Sequence, residues 1–387
     1  MPRPKRPKPE PALMLDAAKL YAARQSNKTI AERLHKSTPY VKWLLEESVD
    51  WLVRQQERLA LSERVETPQN RLEKELHDRF PHLQKVQIVS PGNMRREGDY
   101  ATLIRQWGVA AAEYFDKLVE DAERRDGFLH VGVSGGETIL EVMSQLRERD
   151  RPNVHFHATS LLGRGRLDKS SHVGPETNVM IGWARSGRNP GHCHFGTVPP
   201  YDCKGIRDEK TSDERREVIK RELSHWAQTE EIKKVIKNNE DLDVIFAGLG
   251  LVNPSGTNPA YSQSHIDRLT MTGLLKPLGI DPSELAAEGA IGDFSYCLFN
   301  ADGNEQPRDA HGNELPKDRW RFFLSVGHYS TQHSGIEYYR QLVKEKKRVI
   351  VIAGVYKEPA IRAALKGKFF NVWFTDEETA RNILAAP

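Results

Sequence analysis

The residues best suited to ligand chemistry follow an apolar strand-like run, in the turn Ser134-Gly135-Gly136-Glu137-Thr138. Glycines let a backbone approach a ligand closely, and the amides that open the next helix suit a phosphate. The Ser134 and Thr138 hydroxyls add hydrogen-bonding capacity, although the same turn also serves as a plain strand-to-helix connection. It is neither a Walker loop, since no Gly-Lys-Ser/Thr follows, nor a GxGxxG dinucleotide turn. A second such turn, Ala353-Gly354-Val355-Tyr356-Lys357, leaves another apolar run near the C-terminal end. In an open α/β sheet the two turns could converge on one anion, although a lone lysine at a helix start, as Lys357 is, is more often solvated. Asp293, in Gly289-Ala290-Ile291-Gly292-Asp293, is placed either to accept sugar hydroxyls or to cap a turn. His192-Cys193-His194 with Cys203 has zinc-ligand types, but its spacing fits no standard site. No Gly-x-Ser-x-Gly elbow or nucleophile–base pair is present, so no metal, cofactor or catalytic set is expected.

The elements that must carry these turns alternate. Short apolar runs at 86–89, 128–133, 154–162, 243–247, 348–354 and 371–374 read as strands. Helical patterns cover 100–118, 137–146, 212–237, 358–365 and 377–384, with Ser212 placed to cap its helix. This βαβα order predicts an α/β domain, an open, mostly parallel doubly wound sheet over residues 81–387. Ahead of it, residues 12–55 carry three helical patterns with a tight break at 35–37. Asn27 is placed to cap the second and Pro39 stands in the first turn of the third, which outlines an all-α helix-turn-helix head. The charged stretch 56–80 reads as a linker helix with little to bury. Residues 1–11 form a basic, proline-rich arm that is either a solvated tail or a strand lying along DNA.

Composition narrows the class. A chain of 387 residues with 38% hydrophobic content can bury a large core, and its net charge of +3 decides little. No apolar run reaches membrane-spanning length, and the opening residues lack a signal peptide's apolar centre. With only 3 cysteines, a cytoplasmic protein without a disulfide scaffold is expected.

In order and spacing these pieces resemble the SorC-type family of sugar-responsive bacterial transcriptional regulators. The head resembles the family's in Ile30-Ala31-Glu32-Arg33-Leu34 and in Ser37-Thr38-Pro39-Tyr40-Val41-Lys42-Trp43-Leu44-Leu45. The larger domain is similar in GVSGGETI, GAIGDF, VIAGVYKEPAIRAAL and the closing NVWFTDEETARNIL. The resemblance implies a sugar-binding domain related in fold to sugar-phosphate isomerases and deaminases, without their catalytic residues. It implies operator DNA and a phosphorylated sugar as partners, and a homodimer or homotetramer. Carried over, Ser134, Gly135, Gly136 and Thr138 form the phosphate cradle, with Arg164, Asp293 and Lys357 as further effector contacts. Ser37, Thr38, Tyr40, Lys42 and Trp43 would face DNA.

Two departures bear on function. The recognition helix keeps only Lys42 as a cation and is followed by Glu46-Glu47. Glu137 places a carboxylate in the phosphate turn, which repels an anion if it points inward and is favourable at the helix start if it faces solvent. The competing readings are an isomerase- or deaminase-like enzyme and an interaction protein that has lost operator binding.

Overall fold

The computed structural model describes residues 13–14, 17, 26–45, 68–89, 97–146, 153–161, 164–165, 179, 190–194, 197–198, 212–252, 275, 279–321, 333 and 335–385. The chain divides into two compact units, Met1–Pro68 and Gln69–Pro387.

In the first unit, helix α1 (Asn27–Arg33) is joined by a short turn to helix α2 (38–45). Ser26, not Asn27, caps α1, and its Oγ accepts from the Thr29 amide at 3.2 Å. Both residues are good caps by type, so only the backbone direction at the helix start separates them. Met14, Ala17, Ile30, Ala31, Val41 and Leu44 form the small core of this unit.

The second unit opens with α3 (Pro68–Arg79), whose Leu72 and Leu76 are buried in its main core, where the sequence pattern showed little to bury. Then follow β1 (Lys85–Val89), α4 (Glu97–Arg125), β2 (Phe128–Val133), α5 (Glu137–Gln145) and β3 (His155–Ser160). The short β4 (Arg164–Gly165), β5 (Pro190–His194) and β6 (Thr197–Val198) precede α6 (Asp213–Ala227) and α7 (Glu230–Glu240). Next come β7 (Val244–Ala247), β8 (Leu249–Leu251), α8 (Pro282–Ala287), β9 (Ala290–Phe294) and β10 (Cys297–Asn300). The chain continues through α9 (Ile336–Lys344), β11 (Arg348–Ile352), α10 (Glu358–Gly367), β12 (Val372–Asp376) and α11 (Glu377–Ala385). Ser212 caps α6 as its sequence suggests, accepting from the Arg215 amide.

Seven strands form one sheet in the order β1-β12-β11-β7-β2-β3-β5, every neighbouring pair parallel. Side chains alternate between its faces. Ile350 and Ile352 join Leu129, Val131, Phe246 and Phe374 beneath Trp107 and Phe115 of α4 and Val142 of α5. Val349 and Val351 pack on the other face with Tyr339 and Leu342 of α9 and Ile361 and Leu365 of α10. Burial on both faces explains why these strands read as unbroken apolar runs. A small antiparallel sheet, β10-β9-β8, continues from the end of β7.

Candidate functional site

The strand order reverses between β2 and β7. From β2 the chain moves outward to β3, whereas β7 stands on the other flank and leads toward β11. In open α/β sheets ligands bind at such a switch point, outside the carboxyl ends of the strands. The turn after β2 lies there. Ser134 is buried and donates its amide to the Phe246 carbonyl at 2.9 Å, fastening the turn to β7. A side chain at Gly248, just past β7, would meet the Ser134 hydroxyl at 3.2 Å. Gly136 starts α5 with φ 102°, and a Cβ there would meet nothing within 4 Å. The left-handed backbone needs glycine, and the space beside it is open to a ligand. Thr138 is half-buried, while Glu137 is exposed in the first turn of α5. The carboxylate that could have opposed a phosphate therefore faces solvent, where the helix dipole favours it.

Lys357 and Asp293 lie close enough to the same segment to feel each other's charge. The Lys357 Nζ donates to the Leu249 carbonyl at 2.6 Å. Asp293 sits on β9 opposite Gly250 of β8 and is buried. Its Oδ2 accepts from the Tyr296 amide at 2.9 Å, across a tight turn in which Ser295 and Tyr296 have φ 45° and 71°. Burial pushes the Asp293 carboxyl up to about 6, held back by the Tyr296 amide and the Lys357 charge. Burial also lowers the Lys357 ammonium, which Asp293 partly offsets. The structure thus brings together two turns and one acid far apart in sequence. Leu249 and Gly250 form the bridge between the Ser134 turn and the charged pair.

A carboxyl raised on folding binds its proton more tightly when folded, so its contribution to stability falls as pH rises from the unfolded value near 4 through about 6. Asp293→Asn removes this titration. Denaturant unfolding at pH 4.5 and 7.5 is expected to show the parent losing about 2 kcal/mol relative to Asp293→Asn across that interval. Equal pH dependence in the two proteins would refute the burial argument.

Lys357 is itself positioned by residues outside the predicted set. Asp376, fully buried at the end of β12, accepts from the Val355 amide at 2.9 Å. It also accepts from the amide of Thr379 at 2.8 Å and from its hydroxyl at 2.9 Å. The Trp373 indole donates to the Ala353 carbonyl at 3.0 Å. A Cβ on Gly354 would stand 1.9 Å from Asp376 Oδ2 and 2.4 Å from Trp107, so only glycine fits. The Thr375-Asp376-Glu377…Thr379-Ala380 motif is in this way a brace for the Lys357 turn.

Arg164 lies on β4, which pairs with β6 apart from the main sheet. Its backbone is described and its side chain is not, so it is not placed against the other candidates. In the first unit Ser37 accepts from the Tyr40 amide at 3.4 Å and so caps α2. Thr38 and Lys42 are exposed one helical turn apart. Tyr40 and Trp43 are half-buried and pack edge to face at 5.2 Å. The expectation that all five face DNA thus rests on two exposed side chains, one cap and an aromatic pair. Glu46 and Glu47, and the arm over 1–11, lie outside the described residues. Among the described residues no cluster of metal-ligating side chains occurs, and no helix is long and apolar enough to cross a membrane.

The fold is an α/β domain with a glycine-rich turn at its switch point, in a chain whose first unit carries two short helices joined by a turn. No family model matches the chain. It is 23% identical over 379 residues to the deoxyribonucleoside regulator of Bacillus subtilis, covering 96% of this chain and 97% of that protein. The full-length sorbitol operon regulator SorC from Klebsiella pneumoniae is similar in structure, with TM-score 0.58 and 17% identity, covering 98% of this chain and all of that one. A probable sor operon regulator from Shigella flexneri matches 82% of the chain at TM-score 0.58 and 18% identity. The likeness to the solved structures shows that the chain shares their fold, and the Bacillus subtilis regulator aligns with it nearly end to end.

Proposed function

We propose that the chain is a transcriptional regulator whose operator binding is controlled by a phosphorylated sugar held at the β2/β7 switch point. One observation carries this reading: the Ser134–Gly136 turn and the Lys357–Asp293 pair converge on the short Gly248–Gly250 segment. The turn suits a phosphate, Lys357 supplies a cation, and Asp293 is an acceptor for sugar hydroxyls. The similar proteins are named as regulators rather than enzymes, which sets the isomerase-like reading aside. Control requires that the sugar prefer one arrangement of the paired heads over another. Two-fold pairing of heads suits a palindromic operator with half-sites about 34 Å apart, and so at least a homodimer.

The test is a mobility shift of the full chain against its genomic binding fragments, with and without a panel of sugar phosphates and their unphosphorylated parents. Response confined to phosphorylated sugars supports the reading, and an operator complex indifferent to every one of them refutes it. Lys42→Ala is expected to weaken the complex and lower the log–log salt slope by about 0.9, the share of one phosphate contact. An unchanged slope would remove Lys42 from the DNA face.

A further inference from the structure

One large groove in the described structure is not at the switch point. It lies at the opposite, amino-terminal end of the main sheet and encloses about 1440 Å³. The connections α3–β1, α4–β2, α9–β11 and α10–β12 line it, together with the start of β7. Its described lining carries nine lysines and arginines against four carboxylates.

Cations at helix C-termini are ordinary, because they balance the helix dipole. The four helix ends that lead into this groove, those of α3, α4, α9 and α10, supply only about −2 charges in total. The excess of cations over carboxylates is larger than that. Several of the cations are engaged: Arg124 pairs with Asp121, Lys347 with Asp243 and Lys366 with Asp302. Arg125, Lys344, Lys346 and Lys368 are exposed and form no ion pair among the described residues. Lys346 and Lys368 stand in the left-handed region, at φ 62° and 58°, where each chain leaves its helix. His82 also lines the groove, and its buried Nε2 has no hydrogen-bond partner among the described residues. Leu118, Leu129, Val244 and Val343 give the groove an apolar floor.

We propose that this groove is a second ligand site, for a small molecule bearing more than one phosphate, distinct from the switch-point site. The four exposed cations supply the rim for the phosphates, and the apolar floor accepts the body of the molecule. The volume exceeds the roughly 300–1,000 Å³ of common small-molecule pockets, so one simple anion would not fill it. His82 is the built-in reporter. Burial and the nearby Lys368 hold its ring down to about 4, so it is neutral near pH 7. An anion bound beside it must favour the charged ring.

The experiment uses the full chain, labelled at histidine, with inorganic pyrophosphate as probe and His82→Gln to assign the signal. Pyrophosphate is expected to raise the His82 titration midpoint by at least about one pH unit. Lys357→Ala, which disables the switch-point site, should leave that rise intact, so failure of either site is read separately. Lys344→Glu with Lys346→Glu, both exposed, should weaken the response at least tenfold in pyrophosphate concentration. An unmoved His82 midpoint at saturating pyrophosphate overturns the proposal. A midpoint moved by duplex DNA and not by pyrophosphate overturns it as well, and makes the groove a nucleic-acid contact.

Discussion

Lys357→Ala is expected to abolish the response to phosphorylated sugars while the chain stays folded and bound to its operator. The ammonium is held beside the strand that follows β7 by its 2.6 Å bond to the Leu249 carbonyl. Burial lowers its affinity for a proton, so in the unliganded domain its charge is poorly solvated. A phosphate would restore the missing solvation, and charge-assisted bonds of this kind are worth about 1.5–3 kcal/mol. Calorimetry should therefore show a loss of about 10- to 150-fold in affinity for the phosphorylated sugar, with a much smaller change for its unphosphorylated parent. The folded state should tolerate the change, because a lysine disfavoured by burial is replaced by a small apolar group. Equal losses for both sugars would mean that Lys357 shapes the pocket without meeting the phosphate.

Much of this architecture was legible because its strands are buried on both faces. Runs such as Val349–Ile352 and Val372–Phe374 stand out in sequence for that reason, and each ends at a turn. Ser134–Thr138 and Lys357 could be singled out because a strand, a glycine and a helix start follow one another locally. Asp293 could be named but not explained. Whether it caps a turn or faces a ligand depends on β8, which is three residues long and carries no periodic signal. The structure shows the turn contact, the Tyr296 amide, and sets the carboxyl within the charge field of Lys357. The Gly248–Gly250 bridge was visible only as a glycine-flanked strand end. Its value comes from contacts with residues over 100 positions away, which no local pattern reports. Leu72 and Leu76 were misjudged for a related reason: two leucines in a charged helix look like a thin stripe until a sheet face is found to receive them.

Asp376→Ala should be the most damaging single change at the site, even though Asp376 is not placed to touch a ligand. Its carboxylate receives three donors, from Val355 and from the amide and hydroxyl of Thr379. Alanine would strand them in a fully buried setting, at about 1–3 kcal/mol for each amide left without a partner. The whole is expected to exceed about 3 kcal/mol and to lower the unfolding midpoint by several degrees in a domain of this size. Burial raises the Asp376 carboxyl, with the Thr379 and Val355 donors opposing, so the group is held by hydrogen bonds rather than by a cation. Asp376→Asn separates the two consequences. It keeps one acceptor oxygen and nearly the same volume, so the protein should fold. Its amide nitrogen, however, must face a donor, which loosens the Val355 turn that carries Lys357. The asparagine variant is thus expected to lose affinity for phosphorylated sugars with only a modest loss of stability, and Thr379→Val, which leaves the Val355 bond intact, should not. If Asp376→Asn binds the sugar phosphate as the parent does, the brace is structural alone and the position of Lys357 is set by its bond to Leu249.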